Sequence, residues 1–160
     1  MKALISNIVT GITGSDASIS AAKYAIVMAK NYNCRLTMVY VVDTATIKQL
    51  TLSKIFIQEE SLEYEKSLSA NGERYLSFVE ELAHAKGVKI EKEIRRGAVY
   101  TEILTAADEC KADLIVLGGW EKDRSARDII GHVHREIMYG AKCSVMLVKN
   151  PGIDQMYKQI

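Results

Sequence analysis

Asp113-Leu114-Ile115-Val116-Leu117-Gly118-Gly119 is the stretch that decides the fold. An unbroken apolar run follows one acid and ends on two glycines. It is too short for a buried helix, and it reads as a strand covered on both faces, as at the centre of a parallel sheet. The glycines read as its exit, opening a charged loop that reaches Asp128. Upstream, Val99 to Cys110 carries Ile103, Leu104, Ala106 and Ala107 at helical spacing. Downstream, Gly131 to about Tyr139 reads as the last helix and Val145-Met146-Leu147-Val148 as the last strand.

The same alternation extends to the N-terminus. Leu4 to Thr10 is an apolar, β-branched run that ends in the turn Gly11-Ile12-Thr13-Gly14-Ser15-Asp16. A helix is predicted from about Ser18, with Ala21, Ala22, Ala25, Ile26 and Ala29 on one face. Leu36 to Val42 is the second strand, closed by Asp43. Residues 44–66 carry only a loose helical pattern, which firms from Leu68 and stops near Gly87. Val88 to Ile94 alternates apolar and charged residues, as an edge strand with one wet face does. The predicted order is β-α-β-α-β-α-β-α-β, an open α/β sheet of five parallel strands with helices on both faces. Residues 1–150 are expected to form one domain. Residues 151–160, after the single proline Pro151, form a tail that is disordered or docks on a neighbour.

Composition agrees with that reading. The chain has 160 residues, 48% hydrophobic and 26% charged, enough for one core without disulfides. Twenty-one Lys and Arg against 20 Asp and Glu leave a net charge of +1, so no general attraction to nucleic acid or an anionic membrane is expected. Cys34, Cys110 and Cys143 form no CxxC, and His132 and His134 fall on different helix faces, so no metal box is expected. No run approaches the ~20 apolar residues of a membrane span, and no cleavage site follows Met1 to Ile12, so a cytoplasmic protein is expected.

In open α/β sheets the ligand crevice lies beyond the C-terminal strand ends, where strand order reverses. If strands one and four are neighbours, the turns at Gly11–Ser15 and Gly118-Gly119 border one crevice. Backbone N–H groups of such turns suit phosphate. GxxxxGK[ST], GxGxxG after the first strand and GxSxG are all absent, and no Ser-His-Asp or Cys-His signature is visible. No catalytic residue is assigned.

Taken together, these stretches resemble the universal stress protein family over residues 3–149. Asn7 to Ser18 lines up with its first strand and turn, I-L-V-P-x-D-G-S-x-x-S, and Tyr40-Val41-Val42-Asp43 with H-V-x-D. Gly97 with Glu102-Ile103 resembles the exit of its third strand. Asp113 to Gly118 matches D-L-I-V-x-G, Gly131 keeps the family spacing, and Ser144 to Val148 fits P-V-x-V-V. The resemblance implies a Rossmann-like fold of the adenine nucleotide alpha hydrolase type, with sheet order 3-2-1-4-5. It implies a small cytoplasmic stress-response protein that binds ATP, ADP or AMP, with Mg2+ only alongside ATP and at most slow ATP hydrolysis. The residues carried over to the nucleotide are Gly11, Thr13, Val41, Gly118, Gly119, Gly131, His132 and Val133.

In nucleotide-binding members G-x-x-G-x9-G-[ST] carries ribose and phosphates. Here the middle glycine is Glu121, the hydroxyl residue is His132, the first-strand Asp is Thr13 and the turn's Pro is Gly11. A carboxylate about 4 Å from a phosphate costs on the order of 4 kcal/mol at an intermediate dielectric. Lys122, Arg124 and Arg127 offset it, and Glu121, Asp123 and Asp128 balance those cations in turn. Trp120 either stacks on a base or fills the crevice itself. The alternative function is a dimeric interaction module of the same family that binds no nucleotide. In either case the resemblance implies a homodimer paired through the strand-five edge, Val145, Met146, Leu147 and Val148.

Overall fold

The structure, a computed structural model, describes residues 1–119 and 127–160, with the backbone alone for 127–130. The expectations for Trp120, Glu121, Lys122, Asp123 and Arg124, and for the side chains of Arg127 and Asp128, lie outside the described residues.

Five parallel strands, β1 (Asn7–Ile12), β2 (Arg35–Asp43), β3 (Ile90–Gly97), β4 (Leu114–Gly118) and β5 (Ser144–Val148), pair in the order β3-β2-β1-β4-β5. Among the described residues six helices accompany them: α1 (Asp16–Tyr32), α2 (Thr44–Leu52), α3 (Gln58–His84), α4 (Val99–Glu109), α5 (Arg127–Gly140) and α6 (Ile153–Gln159). The strand alternation divides the core in two. Ile8, Ile12, Met38 and Val116 face α1 and α3, where Ala21, Ala22 and Ala25 let α1 lie close to the sheet. Val9, Val39, Ile115 and Leu117 face Ile103 of α4 and Ile137 of α5.

Several element ends differ from expectation, each for a physical reason. β1 begins at Asn7, because Leu4 has no partner strand and is exposed. It runs on through Gly11 and Ile12, which pair with Val39 and Tyr40, so the turn starts only at Thr13. α1 starts at Asp16 because the Ser15 side chain caps it by accepting from Ser18 N–H. β4 begins after Asp113, whose carboxylate accepts from the N–H groups of Ser6 and Asn7 at 2.8 and 3.0 Å. β3 extends through Arg95 and Arg96 to Gly97.

Residues 44–66 form α2 and the first turns of α3, a projecting hairpin clasped by the Thr51 and Ser61 hydroxyls at 2.5 Å. Its apolar pattern is loose because that part of α3 packs on α2 and leaves most side chains exposed. The tail is neither disordered nor reaching outward. Its helix α6 buries Ile153 and lies on α1, and the Tyr157 hydroxyl donates to the Leu82 carbonyl at 2.6 Å.

Candidate functional site

A cavity of about 240 Å³ opens at the C-terminal ends of β1 and β4, on the sheet face covered by α4 and α5. Val99, Ile103, Leu117 and Ile137 make it apolar, while Thr13, Ser15, Ser18, Asp43 and His134 bring polar groups to it. The neighbouring of β1 and β4 therefore does place the two glycine-bearing strand ends on one cleft.

The β1–α1 turn holds itself together. Ser18 Oγ accepts from the N–H groups of Thr13 and Gly14 at 3.1 and 3.2 Å and donates to the Ser15 carbonyl. Thr13 Oγ1 and Ser15 Oγ share a hydrogen bond of 2.9 Å. Gly14 sits at φ 83°, and a Cβ there would run into the Tyr75 ring. Two donors that a phosphate-gripping turn would offer are thus already engaged. Asp16 adds a carboxylate to the first turn of α1.

Across the cleft, β4 presses on the start of α1. A Cβ on Gly118 would lie 2.6 Å from the Ala17 carbonyl carbon and oxygen, so position 118 admits no side chain unless the backbone moves. Gly119 N–H donates to the Val148 carbonyl at 2.9 Å, which extends the β4–β5 ladder to the rim.

His134 is the site residue that sequence reasoning missed. It is 7% exposed on α5 and lines the cavity. Burial pushes its pKa down, and a hydrogen bond with the Gly118 backbone opposes that shift. The available signal was helical spacing, since 133, 134 and 137 share the inward stripe of α5. Asp43, the end of the Tyr40-Val41-Val42-Asp43 motif, also lines the cavity. Its carboxylate accepts from Thr46 N–H at 3.0 Å and the Thr46 hydroxyl at 2.7 Å, capping α2 at the cavity's edge.

Of the residues singled out in the sequence, Gly11, Thr13, Gly118, Gly119 and Val133 surround this cavity. Val41 is not among its lining; it pairs with Arg95 and packs on the second core cluster. Gly131 has open space where a Cβ would stand. His132 turns outward, its ring 6.0 Å from the Tyr100 ring and Nδ1 4.0 Å from Glu136. No lysine or arginine lines the cavity among the described residues, and no cluster of His, Cys, Asp or Glu there is arranged to hold a metal ion. No helix among them is long and apolar enough to cross a membrane.

This arrangement defines a Rossmann-like α/β protein with an open parallel sheet and its cleft where strand order reverses. The model of the universal stress protein family matches residues 5–149, and the chain belongs to that family. It is 36% identical over 148 residues to universal stress protein MJ0531 of Methanocaldococcus jannaschii, covering 92% of this chain and 84% of that one. Universal stress protein UspA from Lactobacillus plantarum has a similar structure, with TM-score 0.77 at 23% identity over 92% of this chain and 100% of that one. A universal stress protein solved in complex with cAMP gives TM-score 0.67 at 24% identity, over 92% of this chain and 99% of that one. One from Archaeoglobus fulgidus in complex with dAMP gives 0.62 at 18%, over 92% and 100%.

Proposed function

We propose that this chain is a regulatory stress-response protein that holds an adenine nucleotide in the cleft between β1 and β4. The observation that carries the reading is the joint lining of one apolar cavity by Thr13, Gly118, Gly119 and His134. The complexes of two structural relatives with cAMP and dAMP support the ligand class. The cavity favours a monophosphate such as AMP over ATP. Its volume of about 240 Å³ falls below the ~300–1,000 Å³ of typical ligand pockets and suits a base with little beyond it. Among the described residues the self-bonded Thr13–Ser15 turn leaves few free donors for a triphosphate, and Asp43 adds negative charge at the rim. Mg2+ would accompany ATP only through the phosphates.

Titration calorimetry with AMP, ADP and ATP tests this reading. Saturable binding of AMP that weakens at least tenfold in Gly118→Ala is the expected result. Absence of heat with all three at millimolar concentration overturns it.

A second reading is a dimeric interaction module without nucleotide, working in the cytoplasm. It is favoured by β5, an open parallel edge whose Val145, Met146 and Leu147 are only half-buried. Light scattering read beside the calorimetry separates the two readings. A dimer that binds no nucleotide supports the second, and a stable monomer removes it.

A further inference from the structure

The hairpin formed by α2 and the start of α3 carries an apolar surface that the cleft does not use. Leu52 is 74% exposed, Ile55 65%, Ile57 59%, Leu62 54% and Tyr64 44%. Together they offer on the order of 600 Å² of exposed side chain, about three quarters of the ~800 Å² that one side of a standard specific interface buries. A contact that covered all five, with the charged residues around them, would approach the size of a standard interface.

Its charges are divided between its two limbs. Residues 44–57 contain Lys48 and Lys54 and no acid. The next stretch, 58–66, contains Glu59, Glu60, Glu63 and Glu65 beside one cation, Lys66, and among the described residues only Glu65 of these acids is paired, with Arg96. Lys48, Lys54, Glu59, Glu60 and Glu63 are exposed, and among the described residues they form no ion pair. A two-fold axis through the bend would lay Lys48 and Lys54 of one copy on Glu59, Glu60 and Glu63 of the other, twice over. The same hairpin on a second chain is a surface both apolar and opposite in charge to these two limbs. An anionic lipid surface fits worse, because four glutamates flank the apolar tip.

We infer that two copies of this chain associate through the hairpin at 52–64, by an isologous contact distinct from any pairing of β5.

Sedimentation velocity tests it on the full chain. The Ile55→Glu, Ile57→Glu double variant is expected to show half the wild-type mass with an unchanged circular dichroism spectrum, since both positions are exposed. Lys48→Glu with Lys54→Glu is expected to weaken association at least tenfold, and adding Glu59→Lys with Glu60→Lys restores it. Equal mass for wild type and the apolar variant over the whole concentration range overturns the proposal. So does a charge reversal that the second reversal fails to rescue. Loss of binding to phosphatidylserine vesicles in the apolar variant, without a change of mass, also overturns it and makes the hairpin a lipid contact. None of these readouts depends on nucleotide.

Discussion

A hydrogen atom is all that fits at position 118, because the next atom outward would sit 2.6 Å from the Ala17 backbone. Gly118→Ala must displace the start of α1, which is expected to cost about 1–3 kcal/mol by overpacking and to deform the cleft. Gly131 presents the opposite case. It lies inside α5 with nothing within 4 Å of a built Cβ, so Gly131→Ala is expected to add about 1 kcal/mol through helix propensity alone. Urea denaturation of the two variants measures both. His134 sets a pH dependence. Its folded pKa is lowered, so the unfolded imidazole takes up a proton first and stability falls as pH drops below about 6.5 toward the folded value. The urea midpoint is expected to fall between pH 7.5 and 5.5, and to fall less in His134→Gln. Asp113, held below the ordinary 3.8 by the Ser6 and Asn7 amides, contributes in a more acidic window, and that contribution fades as pH falls through its lowered pKa.

Among the elements, α6 is the one whose attachment the sequence hid. Seven residues after a proline carry too little pattern to reveal a helix, and their docking depends on α1 and α3, remote in the chain. Ile153 is its anchor at 2% exposure, and Ile153→Ala is expected to cost about 2–4 kcal/mol in thermal or urea unfolding. Lys23→Ala, which removes the exposed 2.6 Å pair with Asp154, is expected to change stability by less than about 1 kcal/mol. The strands were legible because Leu36–Val42 and Leu114–Leu117 are apolar on both faces. Their ends were not, since pairing decides them: Gly11 became strand by facing Val39, and Asp113 left the strand to cap two amides. The two glycine turns of the site were legible as breaks after apolar runs. His134 was not, because a histidine on a buried helical stripe looks like any core position until the strand it faces is known.

For the molecule as a whole, the sheet is left with two unlike edges. β3 alternates exposed charges that discourage pairing, whereas β5 is short and largely apolar. If β5 joins its counterpart in a second chain, the outward amides among Val145–Val148 exchange slowly with deuterium in concentrated solution and quickly on dilution. Rapid exchange at every concentration would count against that dimer. The charge balance of the chain gives the surface little long-range pull on partners, so the contacts proposed at the cleft, the strand edge and the hairpin would rest on local complementarity.

The loop between β1 and α1 closes on its own hydroxyls and glycine, with a tyrosine ring wedged beneath it. A loop tied in this way has little freedom to rearrange around an occupant of the pocket. If the cleft takes up a ligand, a response to it is expected to begin on the opposite lip, at Gly118, Gly119 and His134.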